Sequence, residues 1–238
     1  MGELVTVTKP VEQGLAPKPV GLGKQLLKRM LPWFITDLIL IGVFIASFII
    51  ISYTPFPSSA SELLIEKYSQ LRNLTKGLSS IPLPVSIFIN NAIVTLVAFI
   101  PIIGIAFFAS TMYWTARVLQ LVSILFSCVT SVSREAITLT LATFLLLTPH
   151  TYLEFFAYGI AIYQNLRLSY LIVKRRWSEF KREARLYLLS ISVAMAFLLL
   201  GAFVEATLIN TFSTPYPAST LPPPQKVEQV LKSCLHNA

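Results

Sequence analysis

The chain has 238 residues, of which 55% are hydrophobic and only 13% charged, with a formal net charge of +8 and a mean hydropathy of +0.70. An ordinary soluble domain carries about 25% charged residues, so that class is excluded. Apolar stretches that approach or exceed the ~18–20 residues needed to cross a hydrocarbon core mark a polytopic membrane protein. The basic residues gather in short segments between apolar runs, a pattern that orients a membrane protein and argues against a nucleic-acid partner. Two cysteines, Cys128 inside an apolar run and Cys234 near the end, offer neither a disulfide framework nor a metal-ligand spacing.

Residues 1 to 31 hold Pro10, Pro17 and Pro19 with Gly14, Gly21 and Gly23, and end in Lys24, Lys28 and Arg29. That composition reads as a flexible cytoplasmic arm reaching a membrane surface. Trp33 to Tyr53 carries one charge, Asp37, between aromatic ends. It is predicted to be the first span, because the apolar run is too long for a cleaved signal peptide. After Pro55 and Pro57, Ser59 stands three residues before Glu62, and Leu64, Tyr68, Leu71, Thr75 and Leu78 recur at helical intervals. A capping-box spacing followed by that period predicts an amphipathic helix over residues 60 to 77, lying on the outer side and too polar to span. Its Asn73-Leu74-Thr75 is a glycosylation sequon that has meaning only if the segment is extracytoplasmic.

Val85 to Val132 is nearly continuously apolar, with Tyr113, Trp114 and Arg117 in its middle. Two spans joined by a tight turn at those three residues are expected, with Pro101 and Gly104 kinking the first or opening a close-packing surface. Ile137 to Thr148 is apolar but short; Pro149 and His150 interrupt it, and apolar character resumes through Val173. One helix over the whole stretch would measure roughly 55 Å at ~1.5 Å per residue, too long for a crossing. The short piece is therefore expected as a half-helix, re-entrant or interfacial, and the second piece as a full span. Leu186 to Phe212 is the last span, and the tail from Ser213 contains Pro215, Pro217, Pro222, Pro223 and Pro224, the composition of a stiff spacer.

Lys174, Arg175, Arg176, Lys181, Arg182 and Arg185 form the densest basic run, interleaved with Trp177 and Phe180. It suits anionic lipid headgroups, and the positive-inside rule places it and the N-terminal arm in the cytoplasm. The expected architecture is all-α: five transmembrane spans, a re-entrant or interfacial half-helix and an outer amphipathic helix. Residues 32 to 212 form the transmembrane domain in the cytoplasmic membrane, with the N-terminus inside and the tail at 213 to 238 outside. A six-span arrangement, in which the half-helix crosses, would leave one basic segment outside.

Intramembrane ionisable groups are costly and mark sites. Asn90, Asn91, His150, Glu154 and Glu205 share a depth of roughly 5–12 Å below the outer boundary when counted at ~1.5 Å per residue. His150 and Glu154 face the same side of one helix. Three readings stay open for such a cluster: hydrogen-bonded glue between helices, a substrate, proton or ion site beside a broken helix, and a zinc-dependent catalytic site. Against the third, there is no His-Glu-x-x-His helix, and the only other histidine is His236. No metal and no cofactor are expected. Asp37 and Arg117, both placed near cytoplasmic ends, are expected to form a structural ion pair. With no Gly-rich phosphate loop, Ser/His/Asp arrangement or Cys pair, no enzyme chemistry is expected.

The Phe88-Ile89-Asn90-Asn91 entry to a span, Pro149-His150-Thr151-Tyr152-Leu153-Glu154, and the late-span Ala202 to Glu205 followed by Ala206 occur in that order. The chain from about residue 30 to 212 thereby resembles the stage II sporulation protein M family of integral membrane proteins. It departs from the family at Thr151, where glycine is frequent, and in having fewer glycines between Ala92 and Ile124. The founding member anchors and localises peptidoglycan-degrading partners and is not itself regarded as the hydrolase. The resemblance therefore implies a membrane scaffold with an unidentified membrane or extracytoplasmic protein partner, and it points to Asn90, Asn91, His150, Glu154 and Glu205. A permease-like component that binds an ion, proton or small solute at this cluster is the alternative. A homo-oligomer, for example through Cys234, is compatible with the sequence.

Overall fold

The computed structural model describes residues 22–55, 82–130, 132–212 and residue 233. Among them the chain is helical throughout: α1 (Leu22–Ser52), α2 (Leu83–Phe99), α3 (Ile103–Thr130), α4 (Arg134–Leu147), α5 (Pro149–Val173) and α6 (Trp177–Phe212). The expected helix at 60 to 77 with Asn73, the arm before residue 22 and the tail apart from residue 233 lie outside the described residues.

α5 is the centre of the bundle and packs on α1, α2, α3 and α6. Small residues make this possible: Ala157, Ile160, Ala161 and Asn165 have no exposed surface, and a Cβ on Gly159 would come within 3.0 Å of the Asp37 backbone nitrogen on α1. The contacts along α5 set the helix directions. α1 runs antiparallel to it, with Phe44 against Phe155 at one level and Arg29 against Gln164 at another. α2 runs parallel, pairing Asn91 with Glu154 and Ala98 with Asn165. α3 rises from Ile102 beside Asn165, past Phe108 against Tyr158, to Arg117 at the end of α1. α6 is antiparallel, pairing Glu183 with Arg167 and Ser190 with Gln164. Outward faces stay apolar, as at Leu38, Ile39 and Val43 on α1 and Leu199, Leu200 and Phe203 on α6. A helix apolar on both its core and its outer face belongs in a bilayer.

Several boundaries differ from those expected. By length and hydropathy two described helices can cross a membrane, Lys24–Ser52 and Trp177–Thr211, or three if the bent pair Arg134–Leu147 and Pro149–Val173 forms one span. That is fewer than the five spans expected. α2 has 17 residues, short of the ~20 of a full crossing, and α3 carries Arg117 and Gln120 in its middle. The turn between α2 and α3 is at Ile100 to Ile102, not at Tyr113 to Arg117. Pro101 biases the preceding residue toward extended backbone, and Ile100 adopts ψ 118°. Ile102 is left-handed at φ 70°, strain that persists only where surrounding contacts hold it. α1 starts well before Trp33, because Arg29 is tied into the bundle by Glu183 and Gln164. α6 likewise starts at Trp177 instead of Leu186, since Glu183 draws its first turns onto Arg29 and Arg167. Pro149 does break the helix: α4 and α5 meet at 73°. Cys128 on α3 is disulfide-bonded, although the cysteine spacing gave no sign of it.

A Cβ on Gly104 would meet the backbone oxygens of Ala98 at 2.4 Å and Val97 at 2.5 Å, so the α2–α3 turn closes only over a glycine. Gly104→Ala is expected to destabilise the protein by about 1–3 kcal/mol, seen as a lower thermal midpoint in detergent. Gly42→Ala, with nothing within 4 Å of the new methyl, should be neutral or slightly stabilising through helix propensity.

Candidate functional site

Polar side chains inside the bundle collect at two levels of α5. Near its N-terminus, Asn91 Nδ2 donates to Glu154 Oε1 at 2.5 Å, and Asn90 Nδ2 donates to Asn91 Oδ1 at 3.3 Å. Glu205 on α6 is a close neighbour of the Glu154 carboxyl. Gly201 lets α6 approach here: a Cβ on it would lie 3.4 Å from Glu154 Cγ and 3.7 Å from the His150 carbonyl oxygen. The Nδ1 of His150 is buried without a hydrogen-bond partner. Asn91, Glu154 and Glu205 thus come together from three helices with His150 beside them, and Asn90, which is exposed, attaches at the edge.

The second level, about three to four turns further along α5, was not singled out in the sequence. Glu183 is 3% exposed and pairs with both Arg29 and Arg167, the latter at 2.7 Å. Gln164 accepts from Arg29 Nη1 at 3.3 Å and donates to Ser190 Oγ at 2.6 Å. Asn165 works on backbone: its Nδ2 donates to the Ala98 and Ile100 carbonyls, and its Oδ1 accepts from the Ile102 N–H at 3.3 Å. Ser169 Oγ accepts from the same N–H at 2.8 Å, and the Tyr187 hydroxyl donates to the Phe99 carbonyl at 2.9 Å. The strained turn is thereby capped from α5 and α6. The amide pair Gln164-Asn165 inside an apolar run is the same sequence signal as Asn90-Asn91 and could have been read the same way.

Asp37 and Arg117 do not pair. Asp37 is 3% exposed, sits against Gly159 in the middle of α1, and its Oδ1 has no partner. Arg117 is at the opposite end of α1, donating to Thr54 Oγ1 at 3.0 Å, Gln120 Oε1 at 2.8 Å and the Tyr113 hydroxyl at 3.0 Å. The expected pairing failed because the α2–α3 turn lies earlier in the chain, which carries Arg117 to the other end of the bundle. Lys174, Arg175, Arg176, Lys181 and Arg185 are all exposed; the side chain of Arg182 lies outside the described residues. Among the described residues no group of three or more His, Cys, Asp and Glu side chains is arranged to hold a metal ion.

A family model described as Stage II sporulation protein M matches residues 36–209, a stretch that contains both polar levels except Arg29. No curated protein and no solved structure matches the chain.

Glu154→Gln keeps an acceptor for Asn91, so it is expected to preserve the thermal midpoint in detergent. Glu154→Ala strands the Asn91 amide and should destabilise by about 1–3 kcal/mol. Equal losses in the two variants would show that the hydrogen bonds do not hold the helices.

Proposed function

The chain belongs to the stage II sporulation protein M family, and from that premise we propose that it is a non-enzymatic membrane scaffold that organises partner proteins at the cytoplasmic membrane. One observation carries the reading: several buried polar side chains bond to other helices of the same chain, as in Asn91 to Glu154, Gln164 to Ser190 and Glu183 to two arginines. Interhelical bonds of this kind order a bundle and favour a rigid platform over a moving carrier. The partner is a membrane or extracytoplasmic protein, or a second copy of the chain.

The same reading takes five crossings, with the N-terminus cytoplasmic and the C-terminus outside. Its support is the alternation of α1, α2, α3, α5 and α6, with α4 turned aside by the 73° bend. The exposed basic residues from Lys174 to Arg185 then lie at the cytoplasmic headgroups together with the start of α1.

A permease-like role with a proton or small solute at the cluster is the second reading. It is favoured by the partnerless Nδ1 of His150 and Oδ1 of Asp37, because intramembrane polar groups without partners mark transport paths.

Proteoliposomes containing the purified chain and a trapped pH dye separate the two. The scaffold predicts no proton flux above empty vesicles under an imposed gradient, and a stoichiometric protein partner cross-linked in native membranes. Flux that disappears in Glu154→Gln would replace the scaffold with the permease.

A further inference from the structure

At the end of the bundle where α1 stops, two arginines form no ion pair with any described residue. Arg117 and Arg134 both reach this end, Arg117 donating to Thr54 and Arg134 Nη2 to the Ser52 carbonyl. The ion pairs among the described residues are Arg29–Glu183, Arg167–Glu183 and Arg176–Glu179, and neither arginine belongs to one. Beside Ser52 is a cavity of about 100 Å³ lined by Ser52, Tyr53, Arg134, Glu135 and Thr138. Two of its donors are unused: Arg134 Nε and Thr138 Oγ1 are buried and have no hydrogen-bond partner. Thr138 is only 2% exposed, so its hydroxyl lacks bulk water as a substitute, and a buried unpaired group of this kind is costly. Glu135 is the one acid on the lining, and it is exposed.

Next to this cavity along α1 an apolar groove of about 290 Å³ runs between α1 and α3, lined by Leu40, Phe44 and Ile51 on one side and Ile105, Phe108 and Met112 on the other. Leu40 to Ile51 spans about 16 Å at ~1.5 Å per residue. One leaflet of a ~30 Å hydrocarbon core is about 15 Å deep. The groove reaches Ile51 and the polar cavity Ser52, successive residues near the end of α1. Tyr113 lines the groove and lies under the Arg117 guanidinium, 5.2 Å from ring centroid to Cζ.

We propose that this end of the bundle binds a phospholipid of the outer leaflet, its phosphate in the cavity against Arg134 Nε–H and the Thr138 hydroxyl and one acyl chain in the α1–α3 groove. A phosphate diester supplies acceptor oxygens to the Arg134 Nε–H and the Thr138 hydroxyl, which have none, and a negative charge to a guanidinium outside every ion pair among the described residues. The chain below it fills an apolar groove that faces lipid. The inference rests on the orientation proposed above, which makes this end the outer one, and is independent of the scaffold role. It concerns the opposite end of the bundle from the exposed basic residues at Lys174 to Arg185.

Native mass spectrometry of the full chain, released from nanodiscs containing phosphatidylglycerol, tests it. Wild-type protein is expected to retain one lipid. Thr138→Val and Arg134→Gln should each lower the retained fraction about tenfold, the loss of one charge-assisted or buried hydrogen bond, and Ala109→Phe, at a position that also lines the groove, should lower it by filling that space. Thr138→Val keeps the side-chain shape and breaks no existing bond, so it carries the test if Arg134→Gln fails to fold. Unchanged retention in Thr138→Val and Arg134→Gln overturns the phosphate site, and unchanged retention in Ala109→Phe overturns the acyl groove. Full displacement by an equal concentration of inorganic phosphate would make this a free-anion site and overturn the lipid assignment.

Discussion

Water is unavailable inside an apolar bundle, so each polar group there has to find its partner within the chain, and α5 is where most of those partners are found. The cost of an unpaired group in hydrocarbon, several kcal/mol, ties the helix to its neighbours at set heights. Asn165 shows the constraint most directly. Its amide and carbonyl close off the backbone at Ala98, Ile100 and Ile102, where Pro101 has no N–H to give and Ile102 is held left-handed. Remove that side chain and the turn between α2 and α3 has backbone groups with nowhere to go. With it in place, α2 ends beside the middle of α5 and α3 begins its return there.

The two polar levels of α5 differ in chemistry. At the Glu183 level charge is balanced by two guanidiniums on one carboxylate, held further by Gln164 and Ser190. This fixes the ends of α1, α5 and α6 against one another. At the Glu154 level two acidic side chains, Glu154 and Glu205, come close together, with Asn91 bonded to the first and His150 beside them. The first level is a clamp made of opposite charges. The second gathers acids, an amide and a histidine at one place, which is why scaffold and permease readings meet at the same residues.

Much of this was legible along the chain. Asn91, Glu154 and Glu205 could be placed at one depth because helical rise converts residue counts into height, and a shared depth is what contact between spans requires. The break at Pro149 was legible because proline acts locally. Arg117 was misplaced for a non-local reason. Tyr-Trp-x-x-Arg looks like an interface by composition, yet the chain had already turned at Ile100 to Ile102, and Arg117 instead reaches Thr54 across the bundle. Arg29 was assigned to a surface because a basic cluster before an apolar run usually lies there. Its guanidinium is instead buried on Glu183, a residue distant in sequence.

By itself the sequence determined that this protein is helical, that it belongs in a membrane and that certain polar residues had to be reconciled inside it. Those properties follow from hydropathy, helical period and proline, each of which acts over a few residues. Only the tertiary structure decided which polar residues meet. Whether Glu154 faces Glu205 or Asp37 faces Gly159 depends on helix rotation and on where a turn falls, and a few residues' shift of the α2–α3 turn carried Arg117 from one end of the bundle to the other. Partner choice among buried polar groups is set by the packing of small residues, Gly104, Gly159 and Gly201 among them, whose effect lies in the helices they allow to approach.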